Sequence, residues 1–208
     1  MIDILIADPD DGSREYFRTL FADKEINVIK ECTKGEEVID YLREGTASLC
    51  IISLKLGGLD AFETISRVIT NYPRIPLIIQ SGHGDGVFPR RLLETGARGF
   101  ISQESKDEEI LKAISELSEG RKYISTELAQ NIAMSLLPGS EPSPLDRLSE
   151  REMQIILQLS HGESAREIST RLALSPKTIS TYKHRVREKL SLNDTQEMFK
   201  LVSEHGLR

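Results

Sequence analysis

The most concentrated positive charge in this sequence lies in residues 175–190, where five Lys or Arg residues accompany a single Glu. Ile179, Val186 and Leu190 have the spacing of a buried helical stripe, so the polar side chains of the segment must face outward. A helix with small polar residues outside and cations at its edges suits a DNA major groove, because cations bind phosphates and polar groups reach base edges. The alternative is the ordinary solvated face of a charged helix.

The residues that precede this segment favour the first interpretation. Ile168 and Leu172 predict a shorter helix over residues 164–172. Ser175 and Pro176 have the residue types of an N-cap and a first helical position, so a second helix begins after a tight connection. Two short helices joined in this way predict a small all-α domain of the helix-turn-helix kind, which presents its second helix to DNA.

A second set of polar residues ends the apolar segments of the first 120 residues. Strands are predicted at residues 2–7, 26–31, 49–53, 77–80 and 99–101. Helical patterns separate them at residues 35–43, 61–71, 87–95 and 107–119, after a first helix that follows the acidic loop at residues 8–11. This alternation predicts an α/β domain with a doubly wound, five-stranded parallel sheet. Binding chemistry in such a sheet lies beyond the carboxyl ends of the strands, which here carry Asp8, Ser53, Ser81 and Gln103.

Residues 148–190 read LSEREMQIILQLSHGESAREISTRLALSPKTISTYKHRVREKL. They resemble, almost position by position, the helix-turn-helix domain of the LuxR/NarL (GerE-type) transcription regulators. The resemblance implies a recognition helix at residues 176–189 and a last helix near residues 195–205. It implies base contacts by Ser180, Thr181 and His184. Phosphate contacts are implied for the cations Lys177, Lys183, Arg185 and Arg187. Thr178 is expected on the same DNA-binding surface.

Residues 1–120 resemble the receiver domain of two-component response regulators. The matching stretches are ILIADPDDGSREYFRTLF, CIISLKLGGLDAFETI, IPLIIQSG and GARGFISQES. The whole chain therefore has the plan of a NarL-type response regulator. In that family, two acids after the first strand hold Mg²⁺ and an Asp at the end of the third strand accepts a phosphoryl group. A Ser or Thr and a Lys at later strand ends then respond to it.

The positions of that chemistry are altered in this chain. Without gaps, they fall on Asp8, Pro9, Ser53, Ser81 and Gln103. A hydroxyl such as that of Ser53 cannot form an acyl phosphate, Pro9 has no side-chain oxygen for a hard Mg²⁺ ion, and Gln103 has no charge. Asp10 and Asp11 suit the start of the first helix better than the place of Pro9. The resemblance therefore implies a degenerate receiver that is not run by aspartyl phosphorylation and holds no metal or cofactor.

Composition is consistent with two globular domains of unequal charge. Residues 1–140 have 16 Lys or Arg and 23 Asp or Glu, whereas residues 141–208 have 11 and 10. We predict a receiver-like domain at 1–120, a linker at 121–147 with a helix and a Pro/Ser-rich tether, and the helix-turn-helix domain at 148–208. Cys32 and Cys50 are expected to be buried and reduced. No signal peptide or membrane-length apolar run is evident, so we expect a cytoplasmic protein without a membrane partner.

Together these features predict a DNA-binding transcription regulator. It would act as a homodimer on an inverted-repeat promoter site in double-stranded DNA, independently of phosphorylation. The alternative is a receiver that binds a regulatory protein or a small ligand and thereby gates DNA binding. An enzyme is disfavoured, because no His is placed to activate Ser53 as a nucleophile. The Gly-rich stretch around His83, SGHGDG, fits no phosphate-binding signature.

Overall fold

The computed structural model describes residues 1–56, 61–81, 96–135, 144–172 and 174–204. The chain divides into two compact units, Met1–Met134 and Ser135–Arg208. The helix predicted at residues 87–95 and the stretch around His83 lie outside the described residues. The domain limits placed at residues 120 and 147 stay a prediction.

The first unit is built on a parallel sheet of six strands in the order β2-β1-β3-β4-β5-β6. The strands are β1 (Ile2–Ala7), β2 (Ile26–Cys32), β3 (Leu49–Ser53), β4 (Leu77–Ser81), β5 (Gly99–Ser102) and β6 (Tyr123–Ile124). The predicted α/β class and parallel sheet are confirmed, since each neighbouring pair of strands runs parallel.

The predicted number of five strands was wrong, because β6 extends the sheet beyond β5. The Tyr123 backbone N–H donates to the Arg98 carbonyl at 2.9 Å, and the Ser125 N–H donates to the Phe100 carbonyl at 3.1 Å. A strand of two residues is too short to show an alternating pattern, so the sequence gives no sign of it within residues 121–147. These two bonds therefore attach the first residues of the predicted linker to the sheet.

The helices described in this unit are α1 (Asp11–Phe21), α2 (Gly35–Glu44), α3 (Ala61–Asn71), α4 (Asp107–Ser118) and α5 (Thr126–Ser135). Phe17 and Phe21 of α1 and Ile114 of α4 join Ile6 and Ile51 of the sheet in one buried cluster. Burial of this apolar surface is the main stabilising contribution. It also fixes the strands, whose carboxyl ends then form one edge of the sheet.

The second unit is helical. It contains a short 3₁₀ helix (Pro144–Arg147), α6 (Glu150–Ser160), α7 (Ala165–Arg171), α8 (Pro176–Leu190) and α9 (Thr195–Glu204). Ile155, Ile168 and Ile179 join α6, α7 and α8 in a buried cluster. Ser149 and Ser164 begin α6 and α7 with complete capping boxes, which satisfy backbone donors at each start. Within the described ranges of both units, no helix has the length and apolar character that a membrane span requires.

Candidate functional site

The polar residues of α8 lie opposite its buried stripe. Ile179, Val186 and Leu190 are buried in the helical unit. The Ser175 hydroxyl accepts a hydrogen bond from the Thr178 N–H at 3.0 Å, and Pro176 is the first helical residue. The cap sets where the helix begins, and the buried stripe sets its rotation. The polar side chains of Ser180, Thr181 and His184 therefore face away from the core.

The predicted DNA-contacting residues differ in exposure. The exposed ones are Lys177, Ser180, Thr181, His184 and Arg185, and the half-buried ones are Thr178, Lys183 and Arg187. Positions i, i+1 and i+4 of a helix share one side, so Ser180, Thr181 and His184 form a common outward surface. Thr178 is held in the cap, since its hydroxyl lies 2.8 Å from that of Ser175.

The hydroxyl groups of this surface already have intrahelical partners. The Ser180 hydroxyl donates to the Pro176 carbonyl at 3.1 Å, and the Thr181 hydroxyl donates to the Lys177 carbonyl at 3.0 Å. The Nδ1 atom of His184 lies 3.4 Å from a carboxylate oxygen of Glu188 one turn later. These contacts orient the three side chains before any ligand is bound.

The cations of α8 fall into two groups. Arg187 donates from Nη2 to the Asn193 carbonyl at 2.5 Å, and Lys189 donates from Nζ to the Glu152 carboxylate at 2.6 Å. Arg187 therefore ties α8 to the loop before α9, and Lys189 ties it to α6. Within the described residues, Lys177 and Lys183 form no ion pair. Arg185 stacks over the ring of Tyr182, at 5.8 Å from its centroid, which leaves its charge on the surface.

The burial and hydrogen bonds of Glu152 explain its ion pair with Lys189. Its side chain is only 4% exposed. The same oxygen also accepts from the Ser149 N–H at 2.8 Å and from the Ser149 hydroxyl at 3.0 Å. Burial by itself would raise the pKa of Glu152, but the hydrogen bonds from Lys189 and Ser149 outweigh it and lower the pKa. Lys189 is one of the five cations counted in residues 175–190, and the sequence did not indicate this partner, which lies 37 residues away along the chain.

The polar residues predicted at the strand ends of the first unit lie at one edge of the sheet. Asp8 directly follows β1, and Ser53 ends β3 beside Gln80 of β4. Ser81 ends β4, where its backbone pairs with that of Ser102. Gln103 directly follows β5. The position of the Ser81 hydroxyl lies outside what the structure describes.

The acidic loop after β1 makes its hydrogen bonds internally. Asp8 is 1% exposed, and its two carboxylate oxygens accept from the Asp10 N–H and the Ser13 hydroxyl, each at 2.9 Å. Asp10 caps α1 by accepting from the Gly12 N–H, and Asp11 pairs with Arg14 at 2.8 Å. Asp10 and Asp11 thus serve the start of α1.

These residues do not fit the Mg²⁺ ion that receivers of the family hold at these positions. The ion needs several oxygen ligands in octahedral geometry, and Pro9 supplies no second carboxylate beside that of Asp8. In the part of the chain that is described, no group of three or more His, Cys, Asp or Glu residues could hold a metal ion. No step is therefore assigned to a metal.

Ser53 lies beside Gln80 and contacts the loop after β3. It is fully buried, and its oxygen accepts from the Lys55 N–H at 3.3 Å. The Lys55 ammonium group donates to the side-chain amide oxygen of Gln103, Oε1, at 3.1 Å. A cation is thus present at this edge, although it comes from the loop after β3 and not from the end of β5.

Gln80 is a site residue that sequence reasoning missed. Its side chain lies in the sheet beside Ser53 and is 5% exposed. Its Oε1 atom is buried and has no hydrogen-bond partner within the described residues. Such an atom requires an explanation, since buried polar atoms are nearly always paired. A lone amide in the apolar run LIIQS was the available signal.

Comparison with known proteins agrees with this division of the chain. The model for the response regulator receiver domain matches residues 4–115, and the model for bacterial regulatory proteins of the luxR family matches residues 146–202. Response regulator GacA of Pseudomonas aeruginosa is 33% identical, over 100% of this chain and 98% of its own. Response regulator UvrY of Escherichia coli is 30% identical, over 100% and 96%.

A solved structure has the same fold. RcsB of Salmonella enterica serovar Typhimurium, bound to promoter rprA in the presence of the phosphomimetic BeF3⁻, aligns with a TM-score of 0.77 and 21% identity. The alignment covers 98% of this chain and 99% of that one. The family models and the full-length relatives establish that this chain belongs to the response regulators that join a receiver domain to a LuxR-type helix-turn-helix domain.

Proposed function

We propose that this protein regulates transcription by inserting α8 into the DNA major groove, as a homodimer and without aspartyl phosphorylation of its receiver. The observation that carries the proposal is the outward face of α8, where Ser180, Thr181 and His184 are exposed beside the cations Lys177 and Arg185. An amphipathic helix of this kind in a helix-turn-helix domain has the chemistry of a major-groove reader.

The contacts of the cations divide their roles. Lys177, Lys183 and Arg185 are the candidates for phosphate contacts, because no carboxylate in the described residues pairs with them. Arg187 remains a predicted phosphate contact, although it already donates a hydrogen bond to the Asn193 carbonyl. Ser180, Thr181 and His184 are the candidates for base contacts. Phosphate contacts supply salt-dependent affinity, whereas base contacts supply sequence preference.

A homodimer on an inverted repeat is the expected working form. One recognition helix reads only a few base pairs, and the two-fold symmetry of a dimer is matched by the symmetry of its operator. The structural relative RcsB has been solved as dimers bound to DNA. We extend that arrangement to this chain as part of the proposal.

The altered residues at the carboxyl ends of the strands support independence from phosphorylation. Ser53 has no carboxylate to accept a phosphoryl group and is buried. Pro9 adds no side-chain oxygen next to Asp8, and Gln103 provides an amide where the family provides an ammonium group. These three positions act together in the phosphorylation chemistry of the family. Because all three are altered, loss of that chemistry is a better explanation than a chance substitution at a single position.

A second candidate function is a receiver that binds a regulatory protein or a small ligand. The observation that favours it is the buried Oε1 atom of Gln80, which has no partner in the described residues. A ligand that supplies an N–H or O–H group there would gain a buried hydrogen bond. A ligand with different affinity for two receiver states would then shift their populations and gate DNA binding.

The experiment that tests the proposal measures binding of the full-length protein to promoter fragments recovered by selection from genomic DNA. Lys183→Ala should weaken binding to matched and mismatched sites equally, whereas Thr181→Ala should reduce the preference between them by about 1–3 kcal/mol. Light scattering of the complex should give two chains per site. A single chain on the best site, or identical behaviour of both variants, would contradict the assignment.

A further inference from the structure

We propose that Ser180 and Thr181 recognise exocyclic amino groups, so that the bases they read are adenine or cytosine. The inference rests on the proposed insertion of α8 into the major groove and specifies the ligand chemistry of that surface. It follows from where the two hydroxyl protons lie. A hydroxyl group has one proton to donate and two lone pairs that accept.

Both protons are used inside the helix. The Ser180 hydroxyl lies 3.1 Å from the Pro176 carbonyl oxygen, and the Thr181 hydroxyl lies 3.0 Å from the Lys177 carbonyl oxygen. A carbonyl oxygen can only accept, so the hydroxyl must be the donor in each pair. What each exposed oxygen offers outward is therefore an acceptor. Donation to the carbonyl also polarises the hydroxyl and strengthens its lone pairs.

The major groove contains two kinds of partner for such an acceptor. Adenine presents its N6 amino group and cytosine its N4 amino group, whereas guanine and thymine present only acceptors and a methyl group there. A base acceptor would require Ser180 or Thr181 to turn its proton away from the carbonyl. Amino groups need no such change, so they are the favoured partners.

Two other threonine hydroxyl groups of the helical unit serve as comparisons. The Thr178 hydroxyl is shared with Ser175 within the cap, so no base is assigned to it. Thr170 of α7 is an exposed threonine with the same backbone bond, to the Arg166 carbonyl at 3.0 Å. It lies on a different helix from the reading surface. Thr170→Val is therefore a matched control for losing the intrahelical bond alone.

The test uses the full-length protein and its best selected duplex, with single base analogues at each position of one half-site. Deoxynebularine replaces adenine without the N6 amino group, and 7-deazaadenine keeps that group but lacks N7. A pyrimidinone nucleoside without the N4 amino group replaces cytosine. We expect amino-group removal to weaken binding about tenfold or more at one or two positions, while 7-deazaadenine has little effect.

Variants then connect each position with its residue. Ser180→Ala or Thr181→Val should abolish the penalty for amino-group removal at one position, whereas Thr170→Val should retain every penalty. The inference would be overturned, with DNA binding itself intact, by a loss of affinity when N7 is removed. It would also be overturned by a loss of affinity on amino-group removal that persists in both α8 variants. Failure of the protein to prefer any duplex would overturn the proposed function, and the inference with it.

Discussion

The ion pair between Lys189 and Glu152 should position α8 and not bind DNA. Glu152 is 4% exposed and Lys189 43% exposed on their side chains, and the two charged groups are 2.6 Å apart. Charge-assisted hydrogen bonds contribute about 1.5–3 kcal/mol, and the exposure of Lys189 reduces this through solvent screening. Lys189→Met leaves the buried carboxylate with Ser149 as a partner. We therefore expect α8 to lose about 1–2 kcal/mol of protection against opening.

The assay combines amide hydrogen exchange of α8 with salt-dependent DNA binding of the full-length protein. Lys189→Met should speed exchange and leave the dependence of log affinity on log salt unchanged. Lys183→Met should leave exchange unchanged and reduce that slope by about 1.8, because a dimer loses one phosphate contact from each of its two chains. Lys200→Met removes an exposed pair with Glu204 at 3.6 Å and serves as the control for loss of a surface ion pair, with little expected change in exchange.

The pair also predicts a pH dependence. The pKa of Glu152 in the folded state is lower than its usual value of 4.5. Its contribution to the stability of the folded state is therefore fully present above pH 4.5, and it is lost as the pH falls through the folded-state pKa. The effect of Lys189→Met on exchange should therefore shrink in acid. The reasoning is refuted if Lys189→Met lowers the salt slope as much as Lys183→Met does while exchange stays unchanged.

Three further predictions concern the first unit. Burial raises the pKa of Cys32 and Cys50 to about 12, so neither thiol should react with a disulfide reagent at pH 8 until urea unfolds the chain; rapid labelling of the folded protein would contradict their burial. Gln80→Leu should stabilise the unit by about 1 kcal/mol in thermal unfolding, because it removes a buried oxygen without a partner, and a large destabilisation would indicate an occupant that pairs with it. Ser53→Asp alone should acquire no phosphoryl group from acetyl phosphate in mass spectrometry, since the Mg²⁺ ligands remain incomplete; a stable adduct would show that the other altered positions matter less.

Much of the fold could be predicted because its signals are local. Buried apolar runs and helical stripes located β1 to β5 and α8, and Ser175 with Pro176 located the start of α8. β6 could not be predicted, since a strand of two residues has no period and depends on the neighbouring β5 for its bonds.

The candidate site was predicted less completely, because partners distant in sequence decide the roles of its residues. Nothing near Lys189 in the chain indicates that it pairs with Glu152, and nothing near Gln103 indicates that Lys55 reaches it. The sequence identified both positions but could not supply these contacts. Gln80 was not identified from the sequence at all, because its unpaired oxygen follows from its position in the sheet beside Ser53.

We propose that this response regulator binds promoter DNA without a phosphoryl group on its receiver. The most direct test measures affinity of the full-length protein for its best selected promoter, with and without acetyl phosphate and Mg²⁺, and records the intact mass of the same samples. We predict equal affinity in both samples and an unchanged mass. A stable mass increase of about 80 Da at the edge that holds Asp8 and Ser53, accompanied by tighter DNA binding, would contradict the account.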